Sequence, residues 1–461
     1  MEATVLQIEE RVKKGDLGFT SMGEFGPSRL HDFRYRPNGT VDAATILDRP
    51  EITLYCLEDE SRQAVFVELP RDYDLYAEPF MYRPQFTQAQ RLLTIPYEGL
   101  HELAERMGNP FRKLILMNTT GRSGGTLLSR AMNRVPSVLS LDEPDVYHNV
   151  LLMRPRDGSR DAELVRLLQS STRLLFKPNR GGMDTLFIKY RNCCIEIGDL
   201  MDKAYPEAKV LFLYRNGEAW VRSVARSVES VLLSGDSTQE TSPFTEFFCH
   251  LDDSEPWSAE PATLGDTKAR GGKPRSDANP GSMYRLITPY VARVVKSRMT
   301  PRDKLAVLWL LLAQRIPGLR GRFCAPLEYL QPYIQSISPM KLLTVVWLSV
   351  INRYLELHAQ GIPMLAVQYE MLVAEPEPAL RGIFEYCGLP AALVSAAEGA
   401  FAEDSQKDTP IARDRVRAQK RNLAPKYLEE IREVLREHPP ITADFVVPGS
   451  LDLARAKQTV V

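Results

Sequence analysis

The chain has 461 residues, which is enough for one large domain or for two to three ordinary ones. Hydrophobic residues make up 44% and charged residues 25% of it, and this composition excludes a disordered, collagen-like or coiled-coil protein. Because 58 basic residues are balanced by 59 acidic ones, the formal net charge is −1, and the broad positive surface of a dedicated nucleic-acid-binding protein is excluded as well. Any site for an anion must therefore be built locally.

The cysteines and the first residues of the chain indicate in which cellular compartment the protein is expected. None of the six cysteines forms a C-x-x-C pair, so the sequence predicts neither a zinc site nor a disulfide framework. The opening MEATVLQIEERVKKGD is charged and has no apolar stretch, and no apolar run reaches the roughly 20 residues that a membrane span needs. We therefore expect a cytoplasmic protein without a membrane partner, and the sequence leaves its oligomeric state open.

In chain order, the first predicted element is a β-hairpin within an N-terminal region of residues 1–110. Two β-rich runs flank the polar DESRQ within residues 51–69, and this is a hairpin pattern. From Lys113 onward, apolar runs at 114–117, 210–214 and 364–367 each lead into a turn and a helical stretch. Such alternation of strand and helix predicts an α/β domain with a parallel sheet, which we place at residues 111–440.

Two further segments complete the predicted organisation. Residues 251–283 are rich in proline and glycine and poor in large apolar side chains, so we predict a mobile surface insertion at about 236–284. Residues 441–461 are predicted to be a C-terminal tail.

The segment TTGRSGGT, which joins the first strand of the α/β domain to its helix, has the features of an anion-binding loop. A glycine-rich turn at this place aims backbone N–H groups and the positive end of the helix dipole at one point. It lacks the G-x-x-x-x-G-K-[ST] pattern of ATP and GTP hydrolases, so a metal-dependent hydrolase is disfavoured. Taken alone, the segment would also suit an ordinary strand-to-helix turn with an exposed arginine. The residues expected to bind the anion are Arg122, Ser123, Gly124, Gly125 and Thr126.

A second anion site is predicted after the next strong apolar run. There the strand at 210–214 ends on Arg215, and Ser223 follows eight residues later, within a helical stretch. A helix that folds back beside the carboxyl edge of the sheet brings two such residues toward one ligand. Two anion sites on successive strand ends are typical of a protein that binds a nucleotide with phosphates at both ends.

These motifs resemble those of the sulfotransferases that use 3′-phosphoadenosine 5′-phosphosulfate (PAPS). TTGRSGGTLL is similar to the family's 5′-phosphosulfate loop, with Arg122 where Golgi-type members often have Arg, and RNGEAWVRS is similar to its 3′-phosphate motif. VQYEMLVAEPEPALRGIFEYCGLP resembles the closing strand and helix, and EDSQKDTPIARDR resembles a segment of bacterial-type members. The resemblance extends over about 113–440 without the insertion. It implies a three-layer P-loop NTPase-like fold, PAPS as co-substrate and no metal.

The resemblance also implies a general base close to the anion loop. In the branch that uses a glutamate, this residue lies beyond the helix that follows the loop, and Glu143 stands 21 residues after Arg122 as the tyrosylprotein branch requires. Cytosolic members use a histidine in a Lys-Ser-His context, and none of the six histidines here has that context. Asp142 and His148 remain alternatives to Glu143, and Glu143 would also suit a structural acid before Pro144.

A lysine is expected at the leaving oxygen of the donor. Lys189, at the end of an apolar run, matches relatives in which a strand-end lysine has this role, and Lys177 is the alternative. Either lysine would also suit a solvated strand end. Arg413, Arg415 and Arg417 could close over the 3′-phosphate, although alternating arginines on a helix more often form a solvated face.

The resulting hypothesis is a PAPS-dependent sulfotransferase that acts on a hydroxyl or amine of a small-molecule or carbohydrate acceptor. A non-catalytic P-loop nucleotide-binding protein would keep both anion sites and lack the base. A small-molecule kinase, the third possibility, would need magnesium and ATP.

Overall fold

The structure is a computed structural model of the chain, and the fold description covers part of it. The described residues are 1–13, 26–155, 157–177, 181–233, 339–407, 409, 412, 425–438, 441–442 and 444–453. The insertion predicted at about 236–284 and the three arginines Arg413, Arg415 and Arg417 lie outside these ranges.

The N-terminal region contains an antiparallel sheet of five strands in the order β2-β1-β5-β4-β3. Its strands are β1 (Glu2–Arg11), β2 (Phe33–Asp42), β3 (Ile52–Glu58), β4 (Gln63–Glu68) and β5 (Arg91–Pro96). Its helices are α1 (Thr45–Asp48), α2 (Tyr82–Gln88) and α3 (Tyr97–Met107). Strands β3 and β4 form the predicted hairpin, in which Ile52 pairs with Glu68 and Glu58 with Gln63. The sequence therefore predicted the two strands at one edge of a larger sheet.

The second sheet has five parallel strands in the order β10-β9-β6-β8-β7. They are β6 (Lys113–Thr119), β7 (Val138–Asp142), β8 (Thr185–Lys189), β9 (Lys209–Tyr214) and β10 (Met364–Gln368). The helices that follow are α4 (Gly125–Asn133), α5 (Val146–Met153), α6 (Asp161–Leu175), α7 (Gly198–Ala204), α8 (Gly217–Leu233), α9 (Pro339–Ala359), α10 (Tyr369–Ala374), α11 (Pro376–Cys387), α12 (Val394–Glu398) and α13 (Pro425–Arg436).

Helices cover both faces of the parallel sheet. Because side chains alternate along a strand, Ile115 and Met117 of β6 pack in one core with α4, α11 and α12. Leu114 and Leu116 point to the opposite face and pack in a core with α5 and α6. Both faces are thus buried, which explains the continuous apolar runs of these strands. The predicted three-layer α/β fold is confirmed.

The two sheets are joined through the same core. Residues of β3, β4 and β5 cluster with Leu114, Leu116 and the helices α5 and α6. The region 1–110 is therefore packed on the parallel sheet's helices. At the other edge, Ser450 forms a parallel bridge with Ala366 of β10, so this part of the predicted C-terminal tail extends the sheet.

No helix within the described ranges combines the length and the apolar character that crossing a membrane would require.

Candidate active site

The anion loop follows β6, the middle strand of the parallel sheet, and its backbone takes an unusual course. Gly121, Arg122 and Gly124 have φ values of 73°, 47° and 82°, all in the left-handed region. Glycine occupies that region without strain, whereas an arginine there is uncommon and is held by its surroundings. Arg122 is therefore fixed in a conformation that the loop imposes.

The loop glycines are required by close neighbours. A Cβ atom on Gly125 would lie 2.9 Å from Cε of Lys189 and 3.0 Å from Cγ2 of Thr119. A Cβ atom on Gly124 would lie 2.8 Å from the ring of Tyr369. Gly124 and Gly125 thus let Lys189 and Tyr369 approach the loop backbone from its two sides.

Arg122 extends from the loop toward the second predicted anion motif. Its Nε donates to the Ser223 hydroxyl at 3.3 Å, and its Nη1 donates to Oε1 of Gln406 at 2.7 Å. Burial, followed by the nearby positive charge of Arg215, lowers the pKa of the Arg122 guanidinium to about 10. Both effects disfavour the charged form of Arg122, and a bound anion would stabilise that form.

The second motif is joined directly to the first. Trp220, in the first turns of α8, donates from Nε1 to the carbonyl oxygens of Thr120 and Gly121, both at 2.8 Å. Arg215 lies at the end of β9, where its Nη1 donates to the carbonyl of Arg122 at 3.3 Å. The two predicted anion sites are therefore in contact and form one basic cluster.

The last residue of β10 is followed by two side chains that the sequence analysis missed. The guanidinium carbon of Arg215 lies 4.6 Å from the ring centroid of Tyr369, and its Nε lies 3.5 Å from Oε1 of Glu370. Both residues open α10 at the carboxyl edge of the sheet. That edge position, where α/β proteins bind ligands, is the signal that could have identified them.

Lys189 connects the anion loop to a pair of carboxylates. It is the last residue of β8, is 4% exposed, and its Nζ lies 3.1 Å from Oγ1 of Thr126. The same Nζ lies 2.7 Å from Oδ1 of Asp142 and 2.6 Å from Oε1 of Glu143. These two carboxylates, acting against the desolvation of the buried amine, raise the pKa of Lys189 above its usual value. The ammonium is therefore charged at neutral pH.

Glu143 follows β7 and is held by both its backbone and its side chain. Its φ is 60°, and its N–H donates to the carbonyl of Lys189 at 2.8 Å. Burial raises the pKa of its carboxyl, and the positive charge of Lys189 opposes that effect. The residue preceding α5 is Asp145, so Glu143 does not cap this helix.

The alternative residues lie elsewhere. His148 lies beside Asp145, with 3.7 Å between Nδ1 and Oδ1. Lys177 donates to the carbonyls of Ile46, Arg49 and Ile52 in the N-terminal region and is buried there. The Ser123 hydroxyl donates to the Leu213 carbonyl at 3.1 Å, so as a ligand donor it would first have to break this bond. The structure thus gathers Glu143 and Lys189 and separates Lys177 from them.

Part of the N-terminal region also reaches this site. The ring of Phe80 lies 5.2 Å from Nζ of Lys189, and the Met81 N–H donates to the carbonyl of Asp142 at 2.7 Å. No spacing or motif in the sequence indicated this contact, because it depends on how the two sheets pack. Within the described ranges, no group of three or more His, Cys, Asp or Glu side chains is arranged to hold a metal ion.

Comparison with known families agrees with this geometry. Residues 115–305 match the family described as the sulfotransferase domain. The match begins in β6 and includes the anion loop, Glu143, Lys189, Arg215 and Ser223. No curated protein is similar enough to the chain to count as a relative. The resemblance to sulfotransferases is confirmed, and it rests on the match of residues 115–305 to that domain.

Proposed function

We propose that this chain, through its sulfotransferase domain, transfers a sulfuryl group from PAPS to a hydroxyl or amine of a small-molecule or carbohydrate acceptor. One observation carries the proposal. Lys189 is within hydrogen-bonding distance of the anion loop at Thr126 and of the carboxylates of Asp142 and Glu143. A lysine so placed would sit between the donor's leaving group and the base that serves the acceptor.

The basic cluster supports an anionic donor. Arg122 and Arg215 carry two positive charges, and among the residues described here only Glu370 forms an ion pair with either of them. Arg122 donates instead to the neutral side chains of Ser223 and Gln406, and a buried cation of this kind strengthens binding of phosphate or sulfate. Since the two motifs touch, a ligand with anionic groups near both arginines would bridge them.

The chemistry requires three actions from the protein. The acceptor oxygen or nitrogen attacks sulfur in line, a bond to sulfur forms, and the bond from sulfur to the bridging oxygen of the donor breaks. Glu143 takes the acceptor's proton, and the Lys189 ammonium donates a hydrogen bond to the departing oxygen, whose negative charge increases as the bond breaks. Because its pKa is raised, the Glu143 carboxylate is a stronger base than an ordinary glutamate, as this proton transfer requires.

The decisive experiment compares donor binding with turnover. Calorimetry with 3′-phosphoadenosine 5′-phosphate measures the nucleotide site, and transfer of labelled sulfate from PAPS to a panel of alcohols, phenols, amines and sugars measures the reaction. We expect Glu143→Gln to bind the bisphosphate like the parent chain and to lower turnover by about 10²-fold or more, the usual effect of removing a general base. Glu385→Gln, an exposed glutamate on α11, is the matched control and should change neither quantity.

The other outcomes separate the alternatives. Normal turnover by Glu143→Gln would show that Glu143 is not the base and would leave Asp142 and His148 as candidates. Binding of the bisphosphate without transfer by the parent chain would favour a nucleotide-binding protein, and phosphate transfer that needs magnesium and ATP would indicate a kinase. Absence of bisphosphate binding would overturn the proposed function.

A further inference from the structure

The C-terminal segment, which we define as residues 444–453, packs along β10 at the edge of the parallel sheet. The Ala366 N–H of β10 donates to the Gly449 carbonyl at 2.9 Å, and the Leu451 N–H donates to the Ala366 carbonyl at 2.8 Å. Strand β10 in turn pairs with β9, the strand that leads to the second anion motif. The C-terminal segment is therefore hydrogen-bonded to the strand beside that motif.

Buried contacts with α9 and β9 hold the C-terminal segment in place. Tyr354 of α9 is fully buried, and its hydroxyl donates to the Pro448 carbonyl at 2.6 Å. Val447 is buried in the core that also contains Phe212 of β9. The segment is thus a fixed part of the fold, and its side chains can hold neighbouring residues in position.

The Ser450 hydroxyl of this segment holds Tyr214, the last residue of β9 and the one before Arg215. The two hydroxyl oxygens lie 2.9 Å apart, and the Ser450 hydroxyl donates to the Val447 carbonyl at 2.7 Å. Because a hydroxyl has a single proton, Tyr214 is the donor in its contact with Ser450. Tyr214 is 1% exposed, so Ser450 supplies the acceptor that this buried hydroxyl needs. The contact fixes the end of β9 immediately before Arg215.

Asp444 of the same segment holds Asn216, the residue after Arg215. The Asn216 Nδ2 donates to Oδ1 of Asp444, and the Asn216 Oδ1 accepts from the Ala219 N–H at 3.1 Å. The two contacts fix the direction of the amide, because its nitrogen can only donate and its oxygen can only accept. The oxygen caps the start of α8, the helix that carries Ser223. Asp444 therefore helps to fix where this helix begins.

Arg215 itself lies between these two fixed neighbours. Its carbonyl accepts from Nε1 of Trp347 at 3.1 Å, and its Nη1 donates to the Arg122 carbonyl at 3.3 Å. A binding site works when its donors lie within about 0.5 Å of the required geometry, and this precision comes from the residues that surround them. A change beside Arg215 can therefore displace its guanidinium without removing a contact to the ligand.

We propose that Ser450 and Asp444 are positioning residues for the 3′-phosphate end of the donor, acting through the residues on either side of Arg215. The proposal rests on the proposed function, in which Arg215 and Ser223 bind the 3′-phosphate. It gives a role in donor recognition to a segment that lies outside the match to the sulfotransferase domain. Neither positioning residue needs to contact the nucleotide, since each acts on the backbone that directs the arginine.

Two nucleotides that differ only in the 3′-phosphate test the proposal. Calorimetry of the full chain with 3′-phosphoadenosine 5′-phosphate and with adenosine 5′-phosphate gives the ratio of the two affinities, which measures recognition of the 3′-phosphate. We expect Tyr214→Phe and Ser450→Ala each to lower the affinity for the bisphosphate by about tenfold and to change that for adenosine 5′-phosphate by less than about twofold. Ser450→Thr keeps the hydroxyl and should retain most of the affinity. Asp444→Ala should lower the ratio less, because Asp444 is exposed, and Glu385→Ala, an exposed acid on α11, is its control.

Tyr386→Phe is the matched control for Tyr214→Phe. The Tyr386 hydroxyl donates to the Pro363 carbonyl at 3.3 Å, before β10 begins and therefore at the opposite end of the strand from the anion motifs. Its loss should leave both affinities unchanged. In the Arg215→Ala background, Tyr214→Phe should lower bisphosphate affinity by less than about twofold further, because the contact acts through this arginine.

The remaining outcomes decide against the proposal. An unchanged ratio in Tyr214→Phe and Ser450→Ala would overturn it, and so would equal losses for the two nucleotides together with a lower melting temperature, since the segment would then support only the fold. A full effect of Tyr214→Phe without Arg215 would also contradict it. Should Ser450→Ala fail to fold, Tyr214→Phe, which removes only the other hydroxyl of the same contact, decides alone. If the parent chain does not bind the bisphosphate, the proposed function fails; if it does and the variants keep the parent's ratio, only the role of the C-terminal segment fails.

Discussion

Glu143 and Lys189 hold each other in place through backbone as well as side-chain contacts. The Glu143 N–H donates to the Lys189 carbonyl at 2.8 Å, and their side chains meet at 2.6 Å. Both residues stand at the ends of neighbouring parallel strands, and Asp142 pairs in register with Lys189. The sequence placed Lys189 at a strand end and Glu143 beyond the helix that follows the anion loop, but their contact depends on β7 lying next to β8, which no local pattern specifies.

The acid limb of the pH profile is a first prediction about these residues. Asp142 helps to raise the pKa of Glu143, together with the larger effect of burial. A base works only when deprotonated, so kcat/KM should fall as the pH drops through this raised pKa. In Asp142→Asn one nearby negative charge is lost, the pKa of Glu143 decreases, and the acid limb should move to lower pH.

The measurement is the pH dependence of sulfate transfer by the parent chain and the variant. Glu102→Gln, an exposed residue of α3, is the control and should leave the profile in place. A limb that moves upward in Asp142→Asn would contradict the assignment of Glu143 as the titrating base.

The second prediction concerns the contact between Arg122 and Ser223, which joins the two anion motifs. Arg122 donates to the Ser223 hydroxyl at 3.3 Å, so the residues are partners before any ligand binds. Arg122→Ala should weaken bisphosphate binding by about 2–3 kcal/mol, the range for a charge-assisted contact, and Ser223→Ala by less. The double variant should lose less than the sum of the two, because either change breaks the same contact.

Calorimetry of the single and double variants gives this coupling energy. Ser227→Ala is the matched control, since its hydroxyl donates to the Ser223 carbonyl within the same helix, at 2.8 Å. Strict additivity would mean that Arg122 and Ser223 meet the ligand independently, as the sequence alone suggested.

At the scale of the element, the parallel sheet was predictable and the N-terminal sheet was largely not. Buried strands such as β6 and β9 are continuous apolar runs followed by turns, a pattern that stands out in the sequence. Strand β2 is almost wholly exposed and contains Pro37 and Gly39, which read as loop residues. It lies at the edge of its sheet, and Pro37 pairs with Leu6 beside a register shift, where a missing N–H is tolerated. The contact of Phe80 with Lys189 was equally hidden, since it arises only when the two sheets pack.

Gly125, the first residue of α4, allows a prediction about the geometry of the anion loop. In Gly125→Ala the new methyl group would lie 2.9 Å from Cε of Lys189, so this side chain or the loop must move. We expect turnover to fall by about tenfold or more, since small displacements of catalytic groups cost this much, while the basic cluster still binds the bisphosphate. Labelled-sulfate transfer and calorimetry measure the two effects.

Gly181→Ala is the control for that substitution, because no atom of the described residues lies within 4 Å of a Cβ atom at that position. Unchanged turnover in Gly125→Ala would show that Lys189 has room to move and that its close approach to the loop does not matter for the reaction.

At the scale of the whole molecule, the N-terminal region packs against the α/β domain through a common hydrophobic core. They share this core, and Phe80 of the N-terminal region lies with its ring 5.2 Å from Nζ of Lys189 at the end of β8. Lys177 links them further, since its buried side-chain nitrogen, whose pKa is lowered by burial to about 7, donates to the carbonyls of Ile46, Arg49 and Ile52. Three acceptors match the three N–H groups of a lysine, so this side chain satisfies polar backbone atoms that the packing of the two regions buries.

Lys177→Met tests whether the two regions unfold together. Methionine fills much of the same space but leaves the three carbonyls without their donor, so we expect a loss of roughly 3 kcal/mol in the free energy of unfolding. No tryptophan lies in residues 1–110, and the buried Trp220 and Trp347 pack in a core with Phe212 of β9, so their fluorescence reports on the domain that contains the parallel sheet, while far-UV circular dichroism reports on both regions. In the parent chain the two signals should change at the same temperature, and in Lys177→Met both should shift downward together.

Lys203→Met, which removes only an exposed ion pair with Asp161 at 3.4 Å, should shift neither by more than a small amount. If circular dichroism showed an early transition that fluorescence did not follow, the N-terminal region would unfold separately, and its packing would contribute less to holding Phe80 over Lys189 than the shared core implies.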